Sequence, residues 1–215
     1  MLRTETVERG TFELLKTLMQ DEKLSDFILA GGTNLALQIG HRLSIDLDLF
    51  PNISFDAQKL AQYLTEKYQF APIRVTENDT ATGLIQGVKV EFIAHIYPQL
   101  YPPFVDEGVR MYSLSDIAAM KLLVISDNGT RLKDFVDIAY LSTKMSLMDM
   151  LLAYKEKYNR PNYFHALRGL SYFEDIVFET RIDLCNGKKF NWKKIEKRIR
   201  EMIKFETKVF ETEPL

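Results

Sequence analysis

Cysteine occurs once in 215 residues, at Cys185. No internal disulfide can form, and the expected compartment is reducing and cytoplasmic. Long apolar runs are missing too. Nowhere do about 18 apolar residues follow one another, so no transmembrane helix is predicted. The opening stretch MLRTETVERGTFELLKTLMQ has scattered charges and no apolar h-region, which speaks against a signal peptide. Net charge is nearly absent, with 28 Lys+Arg against 30 Asp+Glu. A nucleic-acid partner must therefore meet a local basic patch, because the global field is not positive. The glycine loops GxxxxGK[ST] and GxGxxG are absent as well, as are internal repeats and low-complexity tracts. What is present is ordinary globular material, 46% hydrophobic and 27% charged, sized for one or two domains.

Periodicity divides the chain in two. Residues 4–20 place Val7, Phe12, Leu15, Leu18 and Met19 near helical spacing. Phe27 to Ala30 form a short apolar run stopped by Gly31-Gly32, as expected of a buried strand ending at a turn. Thr33-Asn34 and LALQI then predict a short helix. In IDLDLF, residues 45–50, Ile45, Leu47 and Leu49 alternate with Asp46 and Asp48, which is strand geometry. A helix is predicted over 56–69, then three strands in FAPIRVT, GLIQG and VKVEFIAH. Pro98, Pro102, Pro103 and Gly108 mark a linker. Beyond it the period becomes helical, with helices expected at 115–125, 130–142, 146–157, 162–179 and 192–206. An α/β part over 1–105 and a helical part over 106–215 are the expected domains.

The strongest chemical signal is Asp46-Leu47-Asp48. Carboxylates at i and i+2 leave one face of a strand, and Mg²⁺ takes such oxygen ligands together with substrate phosphates. A bare Asp-x-Asp is commonly just a solvated strand face. Here the strand is otherwise apolar, and the next alternating strand supplies Glu91 from its polar face. Three acids on neighbouring strands repel unless a cation holds them. The second signal is Gly31-Gly32-Thr33 between a strand and a helix. It is either a tight turn or a place where phosphate meets backbone N–H groups at a helix N-terminus. In the helical half, Asp134 and Asp137 are i, i+3 and share a face, opposite the apolar stripe Leu132, Phe135, Val136 and Ala139. With Asp116, Lys121 and Lys133 they describe two helices joined by ion pairs, or a cationic anchor for phosphate.

These residues together resemble a known family. AGGTNLALQIGHRLSIDLDLF is similar to the first motif of the AbiEii/AbiGii-type nucleotidyltransferase toxins, within the polymerase-β-like superfamily. Lys89-Val90-Glu91-Phe92 resembles the second motif, and Leu114 to Lys121 (LSDIAAMK) the third. Arg131 to Asp137 (RLKDFVD) resembles the fourth, and Tyr163 to Asp175 (YFHALRGLSYFED) the family's C-terminal helix. The resemblance implies an α+β fold, with a small mixed β-sheet nucleotidyltransferase core followed by a helical domain that completes a cleft. It implies NMP transfer from an NTP to an acceptor, the 3′ end of tRNA, in an abortive-infection or toxin–antitoxin setting. Asp46, Asp48 and Glu91 would hold Mg²⁺, two ions in all. Lys121, Asp134 and Asp137 would join them as catalytic residues. Gly31, Gly32, Thr33, Arg42, Ser44, Lys121, Arg131 and Lys133 would bind the nucleotide. The implied protein partner is an antitoxin. One departure is visible: the loop after the third motif reads Asp127-Asn128-Gly129, where relatives often carry an arginine.

Two other functions fit the same residues: transfer to a small molecule or protein side chain, and a catalytically silent binding protein. His41, His95 and His165 lack ligand spacing and are expected to be structural. Cys185 has no neighbouring base. Gly187 to Lys204 carries eight basic residues around the apolar stripe Trp192, Ile195, Ile199, Met202 and Ile203. It is either the solvated side of a terminal helix or a track for RNA phosphates.

Overall fold

The computed structural model describes residues 1–185 and 187–215. A seven-stranded mixed sheet organises it, in the order β3-β4-β5-β2-β1-β7-β6. The strands are β1 (Ile28–Leu29), β2 (Leu47–Phe50), β3 (Ala71–Val75), β4 (Thr80–Ile85), β5 (Val88–Ile93), β6 (Phe104–Asp106) and β7 (Val109–Met111). The helices are α1 (Arg9–Met19), α2 (Gly31–Ile39), α3 (Ala57–Tyr68), α4 (Leu114–Asp127), α5 (Leu132–Leu141), α6 (Leu147–Lys157), α7 (Phe164–Ser171) and α8 (Trp192–Lys204). Among the described residues no helix is long and apolar enough to cross a membrane.

Strand alternation decides which side each residue serves. Leu29, Leu47, Leu49, Val90, Phe92 and Met111 face a core closed by Leu15 and Leu18 of α1 and Leu60 and Leu64 of α3. Ile28, Ala30, Leu35 and Tyr112 enter a second core made by the later helices, with Ile117, Leu122, Phe135, Leu151, Ile195 and Ile199. Burying each such side chain contributes about 1.5–3 kcal/mol against exposure. β2 lies parallel to β5 and antiparallel to β1, and its register sets Asp48 opposite Glu91.

Three expectations need correction. The alternation at 45–50 predicts a buried Ile45, which is 61% exposed. β2 begins two residues later because the Thr33 hydroxyl holds the Asp46 carbonyl and the Ser44 hydroxyl outside the ladder. The proline-marked linker holds the β6–β7 hairpin, and β7 pairs in parallel with β1. Three-residue strands beside prolines carry too little periodicity to be seen. The helix expected over 162–179 stops at Ser171. Beyond it Phe173 turns to meet Phe135 and Trp192, with ring centroids 5.9 and 5.4 Å away.

Candidate active site

The double glycine works as a gap on both sides. Gly31 has φ +64°, and a Cβ there would stand 1.7 Å from Asp48 Oδ2. A Cβ on Gly32 would stand 2.4 Å from Arg42 Nη2. Only glycine lets a carboxylate and a guanidinium approach the start of α2 this closely. Ala30 gives that helix no side-chain cap. Thr33 ties the turn to the approach to β2 through Ser44 Oγ, 2.9 Å away, and the Asp46 carbonyl. Asn34 donates to the Leu29 carbonyl at 2.6 Å and the Tyr112 carbonyl at 3.2 Å, fixing α2 across β1 and β7.

The predicted acids separate into two groups. Asp48 and Glu91 meet side by side and share a hydrogen bond. Burial, then the Glu91 charge and that bond, push the Asp48 carboxyl up to about 7, and Asp46 adds to the rise. Glu91 also pairs with Lys89 at 2.7 Å. Among the described residues no three His, Cys, Asp or Glu side chains are already gathered to hold a metal ion. The donor chemistry nevertheless fits a hard divalent cation, because it is all oxygen and carries negative charge in excess of its partners.

The second group is saturated with cations. Asp137 is fully buried and accepts from His41 Nε2 at 2.8 Å, Arg42 Nε at 2.7 Å and Arg42 Nη2 at 3.0 Å. Lys121 Nζ stands 2.7 Å from Asp137 and 2.6 Å from Asp134, and Arg131 Nε is 3.4 Å from Asp134. Burial opposes charge on Asp137, but Arg42, Lys121 and His41 hold its carboxyl well below the carboxylate range. Burial, with Arg42 and Lys121, keeps His41 below its ordinary value although Asp137 pulls it up. Lys133 is half-buried beside this group and makes no ion pair among the described residues. Burial and Arg42 lower its ammonium against the pull of Asp46 and Asp137.

The glycine turn, the Asp48–Glu91 edge of β2 and β5 and the α4–α5 pair hold most of the expected residues, while Asp46 lies just before β2. The ion pairs of α4 and α5 are buried, not superficial. His41, expected to be merely structural, joins the site. Its place next to Arg42 was the available clue, but its partner lies 96 residues away. His95 packs beside Phe50, Tyr97 and Tyr158, and burial with the Lys157 charge lowers it to about 4.

Comparison with known proteins agrees with this architecture. The model of the AbiEii nucleotidyl transferase toxins of type IV toxin–antitoxin systems matches residues 13–214. An uncharacterised protein of Aquifex aeolicus (strain VF5) is 31% identical over 186 residues, covering 84% of this chain and 87% of that one. Among solved structures, a Helicobacter pylori protein provisionally described as a nucleotidyltransferase superposes with TM-score 0.56 at 16% identity. That alignment covers 92% of this chain and 95% of the other. JHP933 from Helicobacter pylori gives 0.55 at 15% identity, covering 93% and 92%. At such identities the structures speak for a shared fold.

Proposed function

The chain belongs to the AbiEii family of nucleotidyltransferase toxins, and from that premise we propose that it transfers NMP from an NTP to an RNA hydroxyl with Mg²⁺ present. The family sets it in a type IV toxin–antitoxin system, which implies a nucleotide substrate and an antitoxin. The observation that carries the finer reading is the placement of Asp48 and Arg42 on either side of Gly31-Gly32. Asp48 suits a cation, and Arg42, held by Asp137, adds a buried positive charge on the other side of the start of α2.

In this reading Asp46, Asp48 and Glu91 would hold Mg²⁺, which when bound offsets charge on the attacking and leaving oxygens. The triphosphate lies against the N–H groups of Gly31, Gly32 and Thr33, with Ser44 beside them. Lys133 and Arg131 neutralise its outer oxygens. Asp137 and Asp134 fix Arg42 and Lys121 so that the positive side of the cleft needs no rearrangement. The acceptor oxygen attacks the α-phosphorus, the α–β phosphoanhydride breaks, and pyrophosphate leaves. Glu91 takes the hydroxyl proton. The tRNA 3′ end is the acceptor that the family resemblance implies, and the expected compartment is cytoplasmic.

The test is incubation with each labelled NTP, Mg²⁺ and total RNA, followed by a denaturing gel and intact-protein mass. Label in tRNA supports the reading. Label on protein or on a small molecule transfers the same chemistry to another acceptor. No Mg²⁺-dependent labelling in any fraction overturns it.

A further inference from the structure

Beyond Lys121, α4 runs into a polar groove that none of the roles above uses. Two cavities of about 400 and 380 Å³ adjoin at Ser126, Asp127 and His165, which line both. Glycines shape it. Gly129 takes φ +61° to turn the chain after α4. Gly169 lets α7 close on α4, since a Cβ there would stand 2.9 Å from Ser126 Cα. The backbones therefore touch, and side chains line the space beside them.

Those side chains carry both signs of charge, Arg160 and Arg168 together with Asp127 and Asp175, and the Tyr172 hydroxyl donates to Glu174 at 3.4 Å. Arg160 and Arg168 are exposed, and among the described residues neither guanidinium has an ion-pair or hydrogen-bond partner. Tyr172 presents a ring that is 45% exposed. Asp127 is exposed and lines both cavities. The groove lies along the helix that carries Lys121. Lys121 and Ile125 are i, i+4 on α4 and Asn128 caps its C-terminus, and the last two line the groove. Arg131 bridges the remaining gap: its backbone pairs with Val177 near the groove wall, and its side chain reaches Asp134.

We propose that this groove holds the single-stranded 3′ segment of the RNA acceptor, an inference that rests on the RNA-acceptor reading above. Arg160 and Arg168 take backbone phosphates, Tyr172 stacks a base, and Asp127 accepts from a ribose 2′-hydroxyl. α8 is the weaker candidate for that strand. Its Arg200 is paired with Glu196 at 2.7 Å and Lys197 lies 3.9 Å from Glu201. Its Arg198 is buried, donating to Ser142 and to the Thr212 carbonyl.

The test uses the full chain and two probes, total tRNA and a short labelled single-stranded RNA with a free 3′ hydroxyl. Anisotropy is read across a salt series for the unmodified protein, for Arg160→Gln with Arg168→Gln, and for Tyr172→Ala. NTP binding and thermal melting are measured on the same samples. All three side chains are exposed, so the melts should coincide. The double variant should bind RNA at least tenfold more weakly. Its log–log salt slope should flatten by about 0.7 for each phosphate that is no longer neutralised. Tyr172→Ala should cost about tenfold. NTP binding should not change. RNA affinity and slope left intact in both variants would overturn the groove alone. Weakened NTP binding with RNA binding intact would give the groove to the nucleotide and also overturn the inference. Failure of the unmodified protein to bind either RNA would remove the RNA-acceptor reading, and the groove assignment with it.

Discussion

Two sets of aspartates meet opposite conditions. Asp137 in α5 has two cations and an imidazole on it, and Asp134 has Lys121 and Arg131. Asp116 in α4, equally buried, is matched by Lys157 at 2.7 Å and capped by Ser113. Asp48 in β2 instead meets Glu91, and its carboxyl is pushed up to about 7. Residue type cannot explain the contrast. What differs is whether the fold supplies the counter-charge. Where it does, the acid is part of the scaffold. Where it supplies little, as at Asp48 with Lys89 paired to Glu91, two like charges stay face to face.

The comparison breaks most visibly at Asp137. Asp137→Ala leaves Arg42 buried without its carboxylate and Lys121 with Asp134 alone. Removing one partner of a buried ion pair costs about 3–5 kcal/mol. For a chain of this size that lowers the melting temperature by about 10 °C. Thermal unfolding in plain buffer checks it, and a melt superimposable on the parent would mean that the clamp is not holding the α2–α5 junction. Asp137→Asn should fall between the two, since it keeps the shape and loses the charge.

Asp48 should behave in the reverse way. Asp48→Asn relieves the repulsion with Glu91, so stability in metal-free buffer should hold or rise. Nucleotidyl transfer should nonetheless drop by about 10²–10³-fold, the scale of removing one preorganised electrostatic group that stabilises the transition state. Mg²⁺ should raise the melting temperature of the parent and leave that of the variant unmoved. A variant that loses stability as Asp137→Ala does would erase the distinction between the two acidic sets. One that keeps full activity would remove Asp48 from the site.

How much of this is legible in the sequence follows the same division. β2 and β5 are legible because a period of two survives in four to six residues, and the Asp48–Glu91 neighbourhood follows from it. The glycine turn is legible as a turn. Its reason, room for Asp48 and Arg42, is not, because those side chains arrive from later in the chain. The clamp is half legible: the i, i+3 spacing of Asp134 and Asp137 gives the face but not the partners. Arg42 and Asp137 are 95 residues apart, and no local pattern links them. The pairing of Asp116 with Lys157 gives no signal at all, since only the packing of α6 on α4 joins the two helical faces.

Asp21 offers the smallest and most discriminating test, because it is a third kind of carboxylate. It is buried at the end of α1, yet it is satisfied mainly by neutral hydroxyls. Tyr68 donates at 2.7 Å, Tyr63 at 2.7 Å, and Lys67 adds its ammonium at 3.0 Å. Burial alone would raise its carboxyl, but these donors and the Lys23 N–H outweigh it and bring it down to about 2. The unfolded chain titrates near 3.9. Because the folded value is the lower one, the contribution is present above about pH 4 and is lost as pH falls toward 2. Lys67 is half-exposed and water screens it, so the loss is on the order of 1–2 kcal/mol. Comparing denaturant midpoints at pH 5 and pH 2.5 for the parent and for Asp21→Asn isolates that part. The parent should lose more over this interval than the variant, whose neutral amide has no proton to take up. Equal losses would show that the tyrosine donors do not hold the charge. The acid sensitivity of the fold would then rest with the cation-saturated acids of α4 and α5.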